Sequence, residues 1–436
     1  MDDSAVAPPQ LLGYHGPRFA GSAFLSIEHR VVQVQVSRRS VFLVGGYEPK
    51  TADAFFERLA SEMKRFETTW GVSASMSPVS VAADGDVGTV EIGAAGKGWQ
   101  VATHFGFLVL DRIVLKDFSR PLYVRFFKYL AAFNDYAANG TYWWMIRKAW
   151  RFALYFSYPH AIATVFAAAS VVAGYWVAVL FPPLSIPLGM AIAVVLFDTL
   201  LRHLGQRWGI VHLMDLWSFS LEFLRGRRPD AEALLDRFAQ AIVAHARDAG
   251  PDELILVGHS TGGGLILDIA ARCLAIDPQF AGRSGRTAVL TVGSTALKLG
   301  MHPAARDFRG CVQTLVDDPR IEWIDVQSLH DPINFYKRNP VADMALKPRV
   351  NDVASRLPFP LTRVVRIRDM LDAATYRRIK WNLLRVHYQY VFGNTKRYFY
   401  DFFMIGCGPV PLVERMRDGI VGATPGGVEP ARETAS

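Results

Sequence analysis

The chain has 436 residues, of which 51% are hydrophobic and 20% charged, with a net charge of +8. This balance excludes disorder, collagen and low complexity for its bulk, and three scattered cysteines (Cys273, Cys311, Cys407) exclude a disulfide-built module and any CxxC metal or redox motif. The positive charge points to an anionic partner, either a membrane surface or nucleic acid.

Residues 1–18 are rich in proline and glycine and read as irregular. The opening Met-Asp-Asp-Ser has no basic or apolar signal region, so no secretory signal peptide is expected. From Ser26 to Ser37 apolar and polar residues alternate, with Val32, Val34 and Val36 on one face, which predicts a strand. Arg38-Arg39-Ser40 reads as a turn. Val41-Phe-Leu-Val44 is a continuous apolar run that predicts a buried strand, ending at Gly45-Gly46-Tyr47. A helix is predicted from about Thr51, because Phe55, Leu59, Met63 and Phe66 keep helical spacing. Val90, Ile92 and the run Phe107–Leu110 predict further strands.

Residues 120–157 are crowded with aromatics and interspersed basic residues. Pro159 to Phe181 then contains no charged residue apart from His160. About 20 apolar residues cross a bilayer core. A second apolar run, about 184–204, carries Asp198, Arg202 and His203 near its far end. The pair predicts a transmembrane hairpin, with a buried soluble hairpin or a re-entrant one as alternatives. Arg147, Lys148 and Arg151 precede the pair, Arg202 and Arg207 follow it, and the connecting turn carries no charge, so both flanks are expected on the cytoplasmic side. Residues 210–224 keep helical spacing and run into Arg225, Arg227 and Arg228. They read as an interfacial helix lying on the membrane, or else as an ordinary packed helix.

After Pro229 the pattern becomes soluble α/β. A helix is predicted over Ala231–Arg247, a strand over Leu254–Val257 and a helix over Leu265–Leu274. Strands follow at Thr287–Val292, Ile321–Val326 and Val364–Ile367, which implies a mainly parallel sheet covered on both faces. From Asp418 the composition predicts a disordered tail.

Gly258-His259-Ser260-Thr261-Gly262 is a G-x-S-x-G pentapeptide. Chance yields one in about seven chains of this length, so its weight comes from context: a predicted strand runs into it and a helix runs out. That arrangement would stand a serine hydroxyl at the sheet edge, with a helix N-terminus behind it to favour developing negative charge. Gly258 and Gly262 would permit close chain approach, and Gly263 and Gly264 would let the helix pack on the sheet.

In these residues the sequence resembles the α/β-hydrolase superfamily, its lipases and esterases in particular, over roughly 26–70 and 229–410. The resemblance implies Ser260 as nucleophile, followed in chain order by an acid and a histidine. Asp331, in Ser-Leu-His-Asp-Pro-Ile just past a strand, is the preferred acid. Asp325 is the runner-up, with Asp317 and Asp318 behind. His387 is the preferred base: His302 would reverse the order, and His330 adjoins the acid. The oxyanion hole is expected from the backbone N–H of Thr261 and that of Tyr47 or Gly46, where Gly45-Gly46-Tyr47 departs from the usual His-Gly pattern.

The expected organisation is an irregular 1–18, a first part of the hydrolase core over 19–115, and a helical insertion over 116–228. The second part of the core follows over 229–417, then a tail over 418–436. The function this implies is a membrane-anchored serine hydrolase cleaving a lipid or acyl ester, with the insertion as anchor and lid. An acyltransferase on the same triad and an inactive hydrolase-fold scaffold are the alternatives. The expected partners are the bilayer and an acyl ester, not nucleic acid, since no nucleic-acid-binding signature is present. No cofactor or metal is called for.

Overall fold

The computed structural model describes residues 35–181, 185–347 and 359–422. The expected irregular 1–18, the strand over Ser26–Ser37 as far as residue 34, and the tail beyond 422 lie outside the described residues.

Among the described residues nine strands form one sheet: β1 (Arg38–Val44), β2 (Ser73–Met76), β3 (Ser80–Val81), β4 (Val87–Gly96), β5 (Trp99–Leu108), β6 (Glu253–His259), β7 (Thr287–Val292), β8 (Ile321–Gln327) and β9 (Leu361–Val364). Their order is β2-β4-β5-β1-β6-β7-β8-β9, with β3 beside β4. From β5 across to β9 the pairing is parallel, whereas β4 joins β5, β2 and β3 antiparallel.

The central strands are apolar throughout because both faces are covered. Period-two alternation sends Phe42, Val44, Leu254 and Leu256 into one core, and Val41, Leu43, Ile255 and Val257 into the other. The second core is closed by α1 (Ala52–Trp70). Thr51 caps this helix by accepting from the Ala54 N–H, and Gly71 ends it in the left-handed region.

The expected turn at Arg38-Arg39-Ser40 is instead the start of β1. Arg39 is buried because its register partner on β6 is Glu253, which it meets at 2.7 Å. The remaining guanidinium donors reach the carbonyls of Gly408 and Val410, and Glu253 also accepts from the Leu412 N–H. Two consecutive arginines read as solvent-seeking only while the neutralising carboxylate, more than two hundred residues later, is out of view.

Between β5 and β6 lie α2 (Asp111–Phe118), α3 (Leu122–Ala138), α4 (Thr141–Lys148), α5 (Trp150–Leu180), α6 (Ser185–Leu200) and α7 (Ile210–Leu224). They pack on the first core, where Tyr129, Phe152, Phe156 and Trp217 share a cluster with α8 (Pro229–Ala249) and α9 (Gly262–Ile276). The α7 helix does not lie on a surface: all but three of its fifteen residues are buried, including Asp215, which pairs with Arg125. Its apolar residues surround the helix rather than striping one face, which is the pattern of a core helix.

The hairpin is different. In the long apolar windows of α5 and of residues Ile186–Gly205, only 22% and 17% is buried. Val165, Val172, Trp176, Ile186 and Val194 stand exposed, so a hairpin buried in a soluble core is not what the fold contains. The two helices meet through glycine: a Cβ on Gly174 would lie 2.4 Å from the Gly189 carbonyl oxygen. Asp198, an awkward residue in the sequence, pairs with Arg202 one turn on.

Candidate active site

The carboxyl ends of β1, β6, β7 and β8 converge on one edge of the sheet. There β6 gives way to α9 through Ser260, whose φ is 59°. A non-glycine residue in that region costs on the order of 1–2 kcal/mol, so the surroundings must enforce it. They do. The Ser260 N–H donates to the Val292 carbonyl, and its own carbonyl accepts from the N–H groups of Gly263 and Thr295. Gly262 allows the close approach: a Cβ there would lie 2.3 Å from the carbonyl oxygens of Val44 and Gly45. At Gly258 it would lie 2.4 Å from the Gly262 oxygen. Gly263 lies close on β6, where a Cβ on Gly258 would fall 2.7 Å from its Cα, and the space beside Gly263 and Gly264 is used by a further segment. The two glycines admit Ser294 and Leu299, from the segment that follows β7.

Asp331 lies in the loop after β8 and is fully buried. One carboxylate oxygen accepts from the Ile333 N–H at 2.9 Å, and the other meets His387 Nδ1 at 2.8 Å. A turn-forming aspartate and an acid bound to the histidine are therefore the same residue. Asn334 fixes the loop by donating to the carbonyls of Ser328 and Asp331. His387 ends the short helix Leu383–His387. Its Nε2 is buried and has no hydrogen-bond partner among the described residues.

His259 supports this histidine. Its Nε2 donates to the His387 carbonyl oxygen at 3.1 Å, and the two rings lie 4.7 Å apart. Burial, then the proximity of His387, pushes the pKa of His259 well below the ordinary histidine range, so it is a neutral donor. No sequence signal marked this contact, because 128 residues separate its ends.

The Gly45–Tyr47 loop faces the serine. A Cβ on Gly46 would sit 3.6 Å from Ser260 Oγ. The Tyr47 hydroxyl donates to Asp117 at 2.6 Å, and Asp117 is held by Arg228 at 2.7 Å. This buried chain ties the loop to both ends of the insertion. Among the described residues, the backbone N–H groups of Gly46, Tyr47 and Thr261 donate to no protein acceptor.

The alternative acids are occupied elsewhere. Asp325 accepts from Thr291 at 2.5 Å and from Gln327 at 2.6 Å, and burial raises its pKa to about 6. Asp317 accepts from Gln313, and Asp318 pairs with Arg320. His302 bonds Asp135 and Asn139, and His330 stands exposed at the rim.

Ser260, Thr261, Gly46 and His387 share a cavity of about 1040 Å³, at the upper end of the ~300–1,000 Å³ usual for ligand pockets. Part of its wall comes from the insertion, through Trp150, Leu154 and Tyr155 of α5 and Leu213 and Leu216 of α7. Sequence reasoning missed these residues, since nothing local distinguishes them from other apolar helix positions. One polar wall is built by Glu48 and Tyr388, whose hydroxyl donates to Glu48 at 2.5 Å. Among the described residues no three His, Cys, Asp or Glu side chains are grouped to hold a metal.

The model of the alpha/beta hydrolase family matches residues 171–421. The match contains Ser260, Asp331 and His387 but not β1, which stands beside β6 in the sheet. No curated protein and no solved structure matches the chain.

Proposed function

The chain belongs to the alpha/beta hydrolase family and carries a hydrolase-type function, and we propose that it is a membrane-anchored serine hydrolase cleaving a lipid or acyl ester through Ser260. The observation that carries this reading is the site itself. A serine is held at φ 59°, in one cavity with a histidine whose Nδ1 is engaged by a buried carboxylate and whose Nε2 has no partner among the described residues.

In this mechanism the Ser260 Oγ attacks the ester carbonyl while His387 Nε2 takes the hydroxyl proton. The oxyanion forms against the N–H of Thr261 and that of Gly46 or Tyr47. Asp331 fixes the Nδ1–H tautomer and stabilises the imidazolium. His387 then returns the proton to the departing alcohol, leaving Ser260 acylated. Water repeats the sequence, releasing the acid and restoring the serine. An acyltransferase would replace that water with an alcohol, and product analysis separates the two.

The membrane reading draws on α5 and α6. With 31 residues, α5 is about 45 Å long at ~1.5 Å per residue, against a hydrocarbon core of ~30 Å. The excess corresponds to its first turns, Trp150–Tyr158, which wall the cavity. Anchor and lid are then parts of one helix. The basic flanks support a catalytic side facing the cytoplasm.

Fluorophosphonate labelling of detergent-solubilised protein tests the chemistry. Wild type should label and Ser260→Ala should not. Folded wild type that stays unlabelled would remove the enzyme reading in favour of a scaffold. Alkaline carbonate extraction tests the anchor, which should stay with the membrane.

A further inference from the structure

Beyond the cavity itself, its rim carries a patch that the hydrolase chemistry does not use. Trp381, Leu383 and Leu384 are 84%, 51% and 58% exposed, on the stretch after the short helix Ala373–Ile379. All three border the cavity mouth. Trp150 and Leu154, 58% and 63% exposed, line the same cavity. Single exposed apolar residues are ordinary, but several large ones around one opening mark an interaction site.

The surrounding charge is one-sided. Arg366, Arg368, Arg377, Arg378 and Lys380 are exposed on the same segment, against only Asp369 and Asp372. Asp372 is already engaged, accepting from Ala374, Thr375 and Thr395. Tryptophan beside basic residues is the composition of a membrane interface.

Position along α5 sets the depth. Leu154 precedes Pro159, where the uncharged run begins, by about 7–8 Å at ~1.5 Å per residue. The headgroup layer on each side of a bilayer is about 5–8 Å thick. Because α5 is one continuous helix, a hairpin that spans the membrane brings the mouth to headgroup level.

We infer that the segment Arg377–Leu384 is a second membrane-contact element, docking on the anionic headgroups of the bilayer beside the hairpin. The cavity mouth then opens into the lipid interface, and an acyl chain reaches Ser260 without crossing water. This rests on the reading of the hairpin as membrane-spanning. The partner is an anionic lipid surface, argued from charge complementarity and from continuity with α5.

The test uses the full chain in phosphatidylcholine liposomes with and without phosphatidylserine. An environment-sensitive fluorophore is attached to the L384C variant. A control probe goes on K97C, in the turn between β4 and β5 at the opposite edge of the sheet. Unsubstituted protein labelled in parallel corrects for Cys311. Nitroxide-bearing lipid should quench the L384C probe several-fold more than the control, and more strongly with phosphatidylserine present. Arg377→Glu with Arg378→Glu should reduce that quenching and raise KM for a bilayer-embedded ester. The same variant should cleave a soluble short ester at the wild-type rate.

If the L384C probe is quenched no more than the control while the protein resists carbonate extraction, docking is refuted and the hairpin reading stands. Release by carbonate overturns both. Equal quenching with and without phosphatidylserine overturns the assignment to anionic lipid.

Discussion

Replacing Asp331 by asparagine separates its chemical role from its structural one. The loop should survive, because the asparagine carbonyl oxygen can still accept from the Ile333 N–H, as one carboxylate oxygen now does at 2.9 Å. Asn334 also continues to hold the loop through backbone carbonyls. What is lost is the carboxylate 2.8 Å from His387 Nδ1. With roughly 4 Å between charge centres and an effective dielectric near 20, the attraction to an imidazolium is about 4 kcal/mol. At ~1.4 kcal/mol per decade this is about 10³ in rate. An amide facing Nδ1 also favours the wrong tautomer, which takes the expected loss toward ~10⁴. The assay is the rate of fluorophosphonate labelling and of short-ester hydrolysis, with circular dichroism to establish folding. Asp331→Asn within about threefold of wild type would refute the assignment, and loss of activity in Asp325→Asn alone would move it to the runner-up.

Asp325→Asn should keep activity and change stability with pH. Burial raises this carboxyl from 3.8 to about 6 in the folded chain. The folded state therefore holds the proton more tightly, and ionisation costs stability as pH rises from ~4 to ~6, reaching up to about 3 kcal/mol above that window. The variant should be more stable than wild type at pH 8 by an amount of that order at most, and equal to it below about pH 4, by denaturant melts. Glu253→Ala strands the buried Arg39, its 2.7 Å partner, and should cost about 3–5 kcal/mol by the same measurement; an unchanged midpoint would show the pair to be idle. Gly262→Ala puts a Cβ 2.3 Å from two backbone oxygens that have no rotamer to yield. The elbow must shift by about 1 Å, and labelling should slow by about 10²; wild-type labelling would show that the close approach does not constrain Ser260.

Much of this protein is legible in local pattern. Residues 287–292 are a strand in the sequence and in the fold, because Thr-Ala-Val-Leu-Thr-Val is apolar enough to be buried on both faces. The helix after Thr51 follows from its apolar spacing and cap, and the elbow at Ser260 from a strand and a helix meeting at glycine. The hairpin is set by composition alone, since a long uncharged run has few physical alternatives.

What the tertiary structure decided is everything that joins distant residues. Arg39 is a strand residue only because Glu253 lies opposite it on β6. The interior place of α7 rather than a membrane surface was settled by the aromatic helices that pack around it. Among four aspartates at plausible positions, loop geometry alone brings Asp331 to His387. His259 and the walls of the cavity likewise come from segments far apart in the chain. Backbone periodicity, hydropathy and capping act over a few residues, so local pattern specifies the elements; side-chain hydrogen bonds, charge pairing and cavity shape join residues far apart in the chain, and only the assembled sheet edge decides which groups meet.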